Sequence, residues 1–218
     1  LYNIQNRGYD SAGVAYILND KWEISKYAST NCIDSLELLK KKLSSVESVI
    51  GIGHTRWATH GAKTDKNSHP HISMNKKIIV VHNGIITNYL YLKNFLKEKN
   101  YTFYSETDTE IISNLIEYFL EYSDSISTAI TKAIKIMEGT WALGIIDTSN
   151  LNIVYVTRHG SPLILGESED NLLCCSEISG FIGLVNNYII LENNDIVTLS
   201  NNGYKADNNY TRNKINQS

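Results

Sequence analysis

The stretch TDTEIISNLIEYFL, residues 107–120, carries its apolar side chains at 111, 112, 115, 116, 119 and 120. That is one stripe at helical period, and Thr-Asp-Thr-Glu at 107–110 is the capping-box signature that starts a helix. Upstream of it the pattern is mostly that of strands. Residues 13–18 and 22–27 are short apolar or alternating runs split by Asn19-Asp20, a hairpin signal. Residues 33–43 have helical spacing, 49–55 and 78–81 read as buried strands, and 89–96 as a helix. Downstream, one more helix is expected over about residues 125–137. Only strands follow, at 141–147, 152–157, 162–165, 172–175, 188–191 and 195–199. The helices thus gather mainly in the middle of the chain, between two groups of hairpin-spaced strands. A doubly wound sheet would alternate strand and helix throughout. The fold class is therefore α+β, antiparallel sheets covered by helices, in one domain over residues 1–200 with a polar, fraying tail at 201–218.

The chain has 218 residues, 42% of them hydrophobic and 20% charged, enough to bury a core of ordinary size. Its net charge of −3 and the absence of any long basic run argue against nucleic acid as a partner. The longest basic run, Lys40-Lys41-Lys42, falls on an expected helix and reads as a solvated face. Three cysteines, Cys32, Cys174 and Cys175, cannot form a disulfide framework and fit a reducing compartment. There is no run of 18 apolar residues and no signal-like start, so a cytoplasmic chain without membrane contact is expected.

Polar residues with chemistry to offer concentrate in GIGHTRWATHGAKTDKNSHPH, residues 51–71, directly after an apolar strand. His54, Arg56, Trp57, Thr59 and His60 all want partners or solvent there, and polar residues at the end of a buried strand commonly line a site. Four of the six histidines, His54, His60, His69 and His71, lie in this stretch. A metal site is one reading, but no His-x-x-x-His on a helix and no zinc-spaced Cys pair supports it, and loop histidines are more often hydrogen-bonded turn material. Gly51-x-Gly53 lacks the third glycine and following helix of a dinucleotide loop. In VVHNGIITNY, residues 80–89, Asn83 beside Gly84 offers a side-chain amide and a backbone N–H to one point, as an oxyanion hole does. The plain alternative is an Asn-Gly turn. In SETDTE, residues 105–110, Asp108 occupies a first helical turn, where it is either a cap or a carboxylate for a substrate ammonium. Beside the planar fork of Arg56, it would grip both ends of an α-amino acid.

RGYDSAG (7–13), GIGHTRWATHG (51–61), HPH (69–71), VVHNGII (80–86) with NY (88–89), SETDTE (105–110) and RHGSPL (158–163) occur together, in this order and at these spacings. In these motifs the chain resembles the glutaminase half of the glutamine–fructose-6-phosphate aminotransferase (glucosamine-6-phosphate synthase) family, over nearly its whole length. Related amidotransferases of purine and asparagine synthesis carry different residues at the first two motifs. One match is weaker: at 176–179 the family more often has Asp after the serine. The resemblance implies an N-terminal nucleophile hydrolase fold, a four-layer αββα sandwich of two antiparallel sheets, with L-glutamine as substrate and no cofactor or metal. It implies Arg56 on the glutamine α-carboxylate with Thr59 and His60 beside it, and Asp108 on the α-ammonium. Asn83 and Gly84 would form the oxyanion hole, Trp57 would border the ammonia exit, and Arg7 would lie near the nucleophile.

In that family the nucleophile is an N-terminal cysteine about twenty residues before the RGYDSAG motif, whose own α-amine serves as base. Cys32, Cys174 and Cys175 do not match it. The expectation is that residues upstream of Leu1 supply a first strand, most of a first helix and the nucleophile. The family pairs this half with a sugar-isomerase half, so such a domain, in cis or in trans, is the expected partner; the 218 residues account at most for glutamine hydrolysis. Three readings stay open at this stage. They are a working glutaminase of this or another amidotransferase, a catalytically inactive glutamine-binding module, and a metal-dependent hydrolase built on the histidines.

Overall fold

The computed structural model of the chain describes residues 1–58, 61–169, 171–207 and 215–216. A 3-10 segment over Tyr2–Arg7 leads into the hairpin β1 (Ser11–Leu18) and β2 (Lys21–Ala28). Asn19 and Asp20 both take positive φ, 51° and 59°, the turn geometry whose twist matches the flanking strands. Then come α1 (Ser35–Lys42), capped by Asp34, and β3 (Gly51–Arg56), β4 (His71–Ile72) and β5 (Ile78–Ile86). Three helices follow, α2 (Tyr89–Glu98), α3 (Asp108–Leu120) and α4 (Ile126–Ile136). The rest is strand: β6 (Gly139–Asp147), β7 (Ile153–His159), β8 (Ile164–Glu167), β9 (Leu172–Cys175), β10 (Asn187–Ile190), β11 (Ile196–Ser200), β12 (Gly203–Ala206) and β13 (Ile215–Asn216).

The strands form three antiparallel ladders with orders β2-β1-β3, β13-β10-β8-β9 and β12-β11-β7-β6-β5-β4. Strand alternation decides what each face covers. Ile78 and Val80 of β5, with Leu143 and Ile145 of β6, pack under Leu92, Leu96, Ile111, Leu115 and Ile130 of the helices. The intervening Ile79, Val81, Ala142 and Ile146 face the other way, onto Ala15 and Ile52 of the three-stranded ladder and Leu165 and Cys174 of the four-stranded one. On the outer face of β1, Ala12 and Val14 are covered by Leu36 and Leu39 of α1. The layers are helices, six-stranded sheet, the two smaller ladders, and helix: the αββα sandwich. None of the described helices is long and apolar enough to cross a membrane.

Three sequence expectations change. The strand expected to stop before His82-Asn83-Gly84 runs on to Ile86, and no Asn-Gly turn forms, because Asn83 and Gly84 pair with Ala142 and Trp141 of β6. The capping box at 107–110 does not close. The Thr107 hydroxyl is engaged with His71 Nε2 (3.0 Å) and Ser105 Oγ (3.2 Å), and Glu110 reaches past the cap to accept from Tyr104 N, Ser105 N and Ser105 Oγ (2.8, 2.7 and 2.6 Å). Buried partners outcompete the local cap. From Asn201, where a fraying tail was expected, the chain turns back, and Gly203–Ala206 pairs with β11.

α3 is tied to the β4–β5 turn by a fully buried carboxylate. Glu117 accepts from Ser73 Oγ (2.6 Å), Asn75 Nδ2 (2.9 Å), Asn75 N (3.3 Å) and Lys77 N (3.4 Å), while Asn114 Oδ1 accepts from Met74 N (2.8 Å). Glu117→Leu strands these donors in the interior, and an unmet buried hydrogen-bonding group costs about 1–3 kcal/mol. The expected loss in urea denaturation is about 3 kcal/mol; a loss below about 1 kcal/mol would show that the turn does not depend on this carboxylate.

Candidate active site

β3 and β5 bring the polar residues together by the same alternation that builds the core. Ile52, His54 and Arg56 share one face of β3, and Ile79, Val81 and Asn83 share the face of β5 turned toward it. His54 Nε2 lies 2.9 Å from Asn83 Oδ1. His82, one residue earlier on β5, faces the other way, toward α3. Asn83 is half-buried and Gly84 is exposed. Gly84 has φ +138°, and a Cβ there would sit 2.1 Å from the Thr140 carbonyl oxygen, so only glycine fits.

Four histidines, His54, His69, His71 and His82, are buried side by side. His54 stacks on His69 with centroids 4.2 Å apart, and His69 meets His71 edge-on at 5.0 Å. Their hydrogen bonds fit neutral rings. The backbone N–H of His82 donates to His69 Nδ1 (3.4 Å), so His69 carries its proton on Nε2 and donates to Thr109 Oγ1 (3.3 Å). Thr109 in turn donates to His82 Nδ1 (3.1 Å), and His82 Nε2–H donates to the Thr140 carbonyl (3.2 Å). A second chain runs from Tyr104 O–H through His71 and Thr107 to Ser105 and the Glu110 carboxylate. Burial is the chief cause that pulls all four imidazoles below their usual range, His54 to about 4. The loop that carries His69 is fastened by Lys26 Nζ, which donates to the Ser68 and Pro70 carbonyls (2.8 and 3.0 Å). Among the described residues, no group of three or more His, Cys, Asp or Glu is disposed to hold a metal ion; the imidazoles are occupied with one another, with hydroxyls and with Asn83.

Asp108 opens α3, and its Oδ2 accepts from Ile86 N (3.0 Å) and stands 3.9 Å from His82 Nδ1. Arg56 is buried at the end of β3. Burial draws its guanidinium below the usual range, while Asp10 and Asp108 oppose this, so the arginine lies within the field of both carboxylates. The structure therefore brings Arg56, Asn83, Gly84 and Asp108 into one region. Trp57 stands apart, exposed and tilted against Tyr9 at 5.2 Å. Thr59, His60 and the Arg7 side chain lie outside the described residues.

Sequence reasoning gave Asp10 no role, although it sits inside RGYDSAG. Its Oδ2 accepts from Ala58 N (3.0 Å), its Oδ1 pairs with Lys63 (3.3 Å), and its own N–H donates to the Arg56 carbonyl (3.1 Å). It pins the segment that follows Arg56. Glu106 does the same further on, accepting from Asn67 Nδ2 (2.9 Å) and Ala62 N (3.3 Å). An acidic residue between glycine-rich neighbours was the available signal for Asp10.

A cavity of about 720 Å³ opens beside Asn83. One wall is β3 from Gly51 to its end near Thr55, the facing wall is β9, and the floor is Val81, Ala142, Gly144, Val154 and Val156 of the six-stranded sheet. β3 pairs only with β1, and β9 only with β8, among the described residues, so both strands present an unpaired edge to this slot. His54 and Asn83 border it, whereas Arg56, Gly84 and Asp108 stand outside its wall.

The neutral histidines set the acid limit of the fold. Each has a folded pKa below its ordinary 6.5, so on acidification the unfolded chain takes up protons that the folded chain refuses. Stability is then full above about pH 6.5 and falls as pH drops toward 4, by up to about 1.4 kcal/mol per pH unit for each histidine. Thermal midpoints are expected to fall steeply between pH 7 and 5 and less steeply in His54→Phe; a flat profile would show that the rings are not held neutral.

A family model described as a glutamine amidotransferase domain matches residues 54–183. The glutamine–fructose-6-phosphate aminotransferase (isomerizing) of Clostridium acetobutylicum is 42% identical over 205 residues, 93% of this chain and 33% of that protein. The enzyme of the same name from Thermotoga maritima is 37% identical, covering 95% of this chain and 34% of the relative. The chain thus spans about a third of the length of the curated relatives it matches. The fold is shared with the glutamine phosphoribosylpyrophosphate amidotransferase of B. subtilis, with a TM-score of 0.78 at 23% identity over 96% of this chain and 45% of that one. It is also shared with a glutamine aminotransferase class-II domain protein from Silicibacter pomeroyi, with a TM-score of 0.64 at 16% identity over 91% of each chain. With more than half of its residues matched by that family model, the chain belongs to the glutamine amidotransferase domain family.

Proposed function

We propose that this chain hydrolyses the side-chain amide of L-glutamine and that the ammonia serves the synthesis of glucosamine 6-phosphate from fructose 6-phosphate on a sugar-isomerase domain, in cis or in trans. One observation carries the reading: a buried arginine, a helix-start carboxylate and an Asn-Gly pair converge beside a slot bounded by two unpaired strand edges. Arg56 grips the α-carboxylate, with Thr59 and His60 beside it, and Asp108 holds the α-ammonium. The curated relatives named above for this reaction support the choice of acceptor.

The nucleophile in this reading is the thiol of an N-terminal cysteine on an extended segment that precedes Leu1. That segment enters the slot and pairs with β3 and β9. Leu1 already packs on β3 at Gly53, and Ile4 borders the slot. The thiol gives its proton to the segment's α-amine and attacks the amide carbon of glutamine. The oxygen, now negative, takes hydrogen bonds from the Asn83 side-chain N–H and the Gly84 backbone N–H. The C–N bond breaks, the nitrogen leaves as ammonia with the proton returned by the amine, and a thioester remains. Water attacks that thioester and releases glutamate and the free thiol. Arg7 lies near the nucleophile, and exposed Trp57 borders the ammonia's exit. The reaction is assigned to the cytoplasm, a reading that the free thiols of Cys32, Cys174 and Cys175 support.

Ammonia release from glutamine by the full-length protein tests the reading directly. Arg56→Ala is expected to raise the glutamine KM about tenfold or more, the equivalent of about 1.5–3 kcal/mol for a charge-assisted contact, with a smaller change in kcat. Asn83→Ala is expected to lower kcat by about a hundredfold with little change in KM; an unchanged kcat would remove Asn83 from the oxyanion hole. Trapping the glutamyl thioester and mapping it by peptide mass spectrometry should find it on the slot segment's cysteine. A thioester on Cys32, Cys174 or Cys175 would overturn the assignment of the nucleophile.

A further inference from the structure

We infer that His54 is a positioning residue for amide hydrolysis, its Nε2–H holding the Asn83 carbonyl so that the Asn83 NH2 is committed to the oxyanion. The inference rests on the glutaminase reading and deepens it. A primary amide rotated by half a turn exchanges its oxygen for its nitrogen with almost no change in shape. In one orientation Asn83 stabilises a developing negative charge; in the other it repels it. Something must choose between them.

The choice is made by the ring opposite. Asn83 Oδ1 lies 2.9 Å from His54 Nε2, while Asn83 Nδ2 has no hydrogen-bond partner among the described residues, although Asn83 borders the slot. His54 is buried, and its Nδ1 is enclosed without a partner. A neutral imidazole carries one proton. On Nδ1 it would be a buried N–H with no hydrogen-bond partner in the structure, and Nε2 would then accept from a flipped Asn83. On Nε2 the proton meets Asn83 Oδ1 and leaves only a bare lone pair at Nδ1. The environment of Nδ1 therefore selects the tautomer, and the tautomer selects the amide orientation. The ring cannot swing away, because it is stacked on His69 at 4.2 Å, and His69 is itself held by Thr109 and by the backbone N–H of His82. Lys26 from β2 closes the support by holding the carbonyls on either side of His69. The same face of β3 thus presents two tools two residues apart, Arg56 for the substrate's carboxylate and His54 for the group that receives the oxyanion.

The closing experiment reads kcat and KM for ammonia release by the full-length protein, with folding of each variant checked by thermal unfolding. His54→Phe keeps a stacking ring but has no donor. It is expected to lower kcat by about ten- to a hundredfold, somewhat less than loss of the oxyanion donor itself, with KM within about twofold. His54→Gln places an amide N–H near the position of Nε2 and is expected to restore most of kcat. In an Asn83→Ala background His54→Phe should have no further effect, since a residue that acts only through Asn83 has nothing left to act on. An equal fall in kcat in both backgrounds, a rise in KM matching the loss, or a folded His54→Gln as slow as His54→Phe would each overturn the inference. A measurement without substrate keeps the two readings apart: nitrogen NMR of the imidazole at pH 7 should show His54 neutral with its proton on Nε2. A proton on Nδ1 would overturn the role of His54 even in an active enzyme. A wild-type protein that releases no ammonia but shows the Nε2–H form would instead overturn the glutaminase reading.

Discussion

The two-sided pleat of β5 is the constraint from which the rest of the molecule follows. Residues 78 and 80 must satisfy the helical layer, and residues 79 and 81 must satisfy the facing ladders, in one unbroken register with β6 from Ile78↔Asp147 to Ile86↔Gly139. A slip of one residue would send every side chain to the wrong layer. Continuing the same alternation past the apolar run sends His82 to α3 and Asn83 to β3. The site is thus an extension of the core pattern with polar residues substituted at its end, and its precision is that of the sheet. Glu117 and Asn114 protect that register by holding the turn that starts β5 against α3.

Burying four imidazoles where two sheets and a helix meet looks wasteful until their partners are counted. Each ring is a flat spacer with a donor at one end and an acceptor at the other, so a row of neutral rings and threonine hydroxyls can be fully directional without any charge. This matters because a cationic imidazole beside Arg56 would be repelled, as the mutual lowering among these groups reflects. The rings stay neutral, and the carboxylates Asp10 and Asp108 act on the arginine.

Much of this was legible in the sequence, for reasons that differ by residue. The stripe of 111, 112, 115, 116, 119 and 120 specified α3, because a helix that buries one face must repeat there. The Asn19-Asp20 hairpin was legible because few residues accept positive φ. The fold class followed from the order of such elements, and the family from long motifs. What the sequence hid were contacts between distant elements. Thr107 and Glu110 look like a capping pair, but His71 and Ser105, brought in by β4 and the preceding loop, recruit them instead. His82-Asn83-Gly84 looks like a turn because the local signal cannot see β6 waiting to pair with it. The two-residue strands β4 and β13 carry too few residues for periodicity to register, and β12 pairs with β11 out of a stretch that reads as polar tail. The link between His54 and Asn83 could have been found from the sequence, since both sit at inward positions of strands, but only once the two strands were known to face each other.

The slot bears on why Cys174 does not suit the nucleophile's part in the proposed reaction. Cys174 is on β9, on the slot wall, and its side chain packs with the apolar floor. Burial there, reinforced by neighbouring Cys175, pushes its thiol above the ordinary range and favours the protonated form. A thiol that attacks an amide needs an adjacent base or a field that favours its anion. β9 supplies neither, since it is an edge strand among apolar side chains, and its contribution is the row of backbone groups it leaves open. Those open groups and their counterparts on β3 can be paired along both strands at once by something extended, which a helix or a rounded ligand cannot do. An extended strand would meet that demand next to His54 and Asn83, which border the slot. The same gap keeps the two ladders separate, and a strand filling it would join them into one sheet.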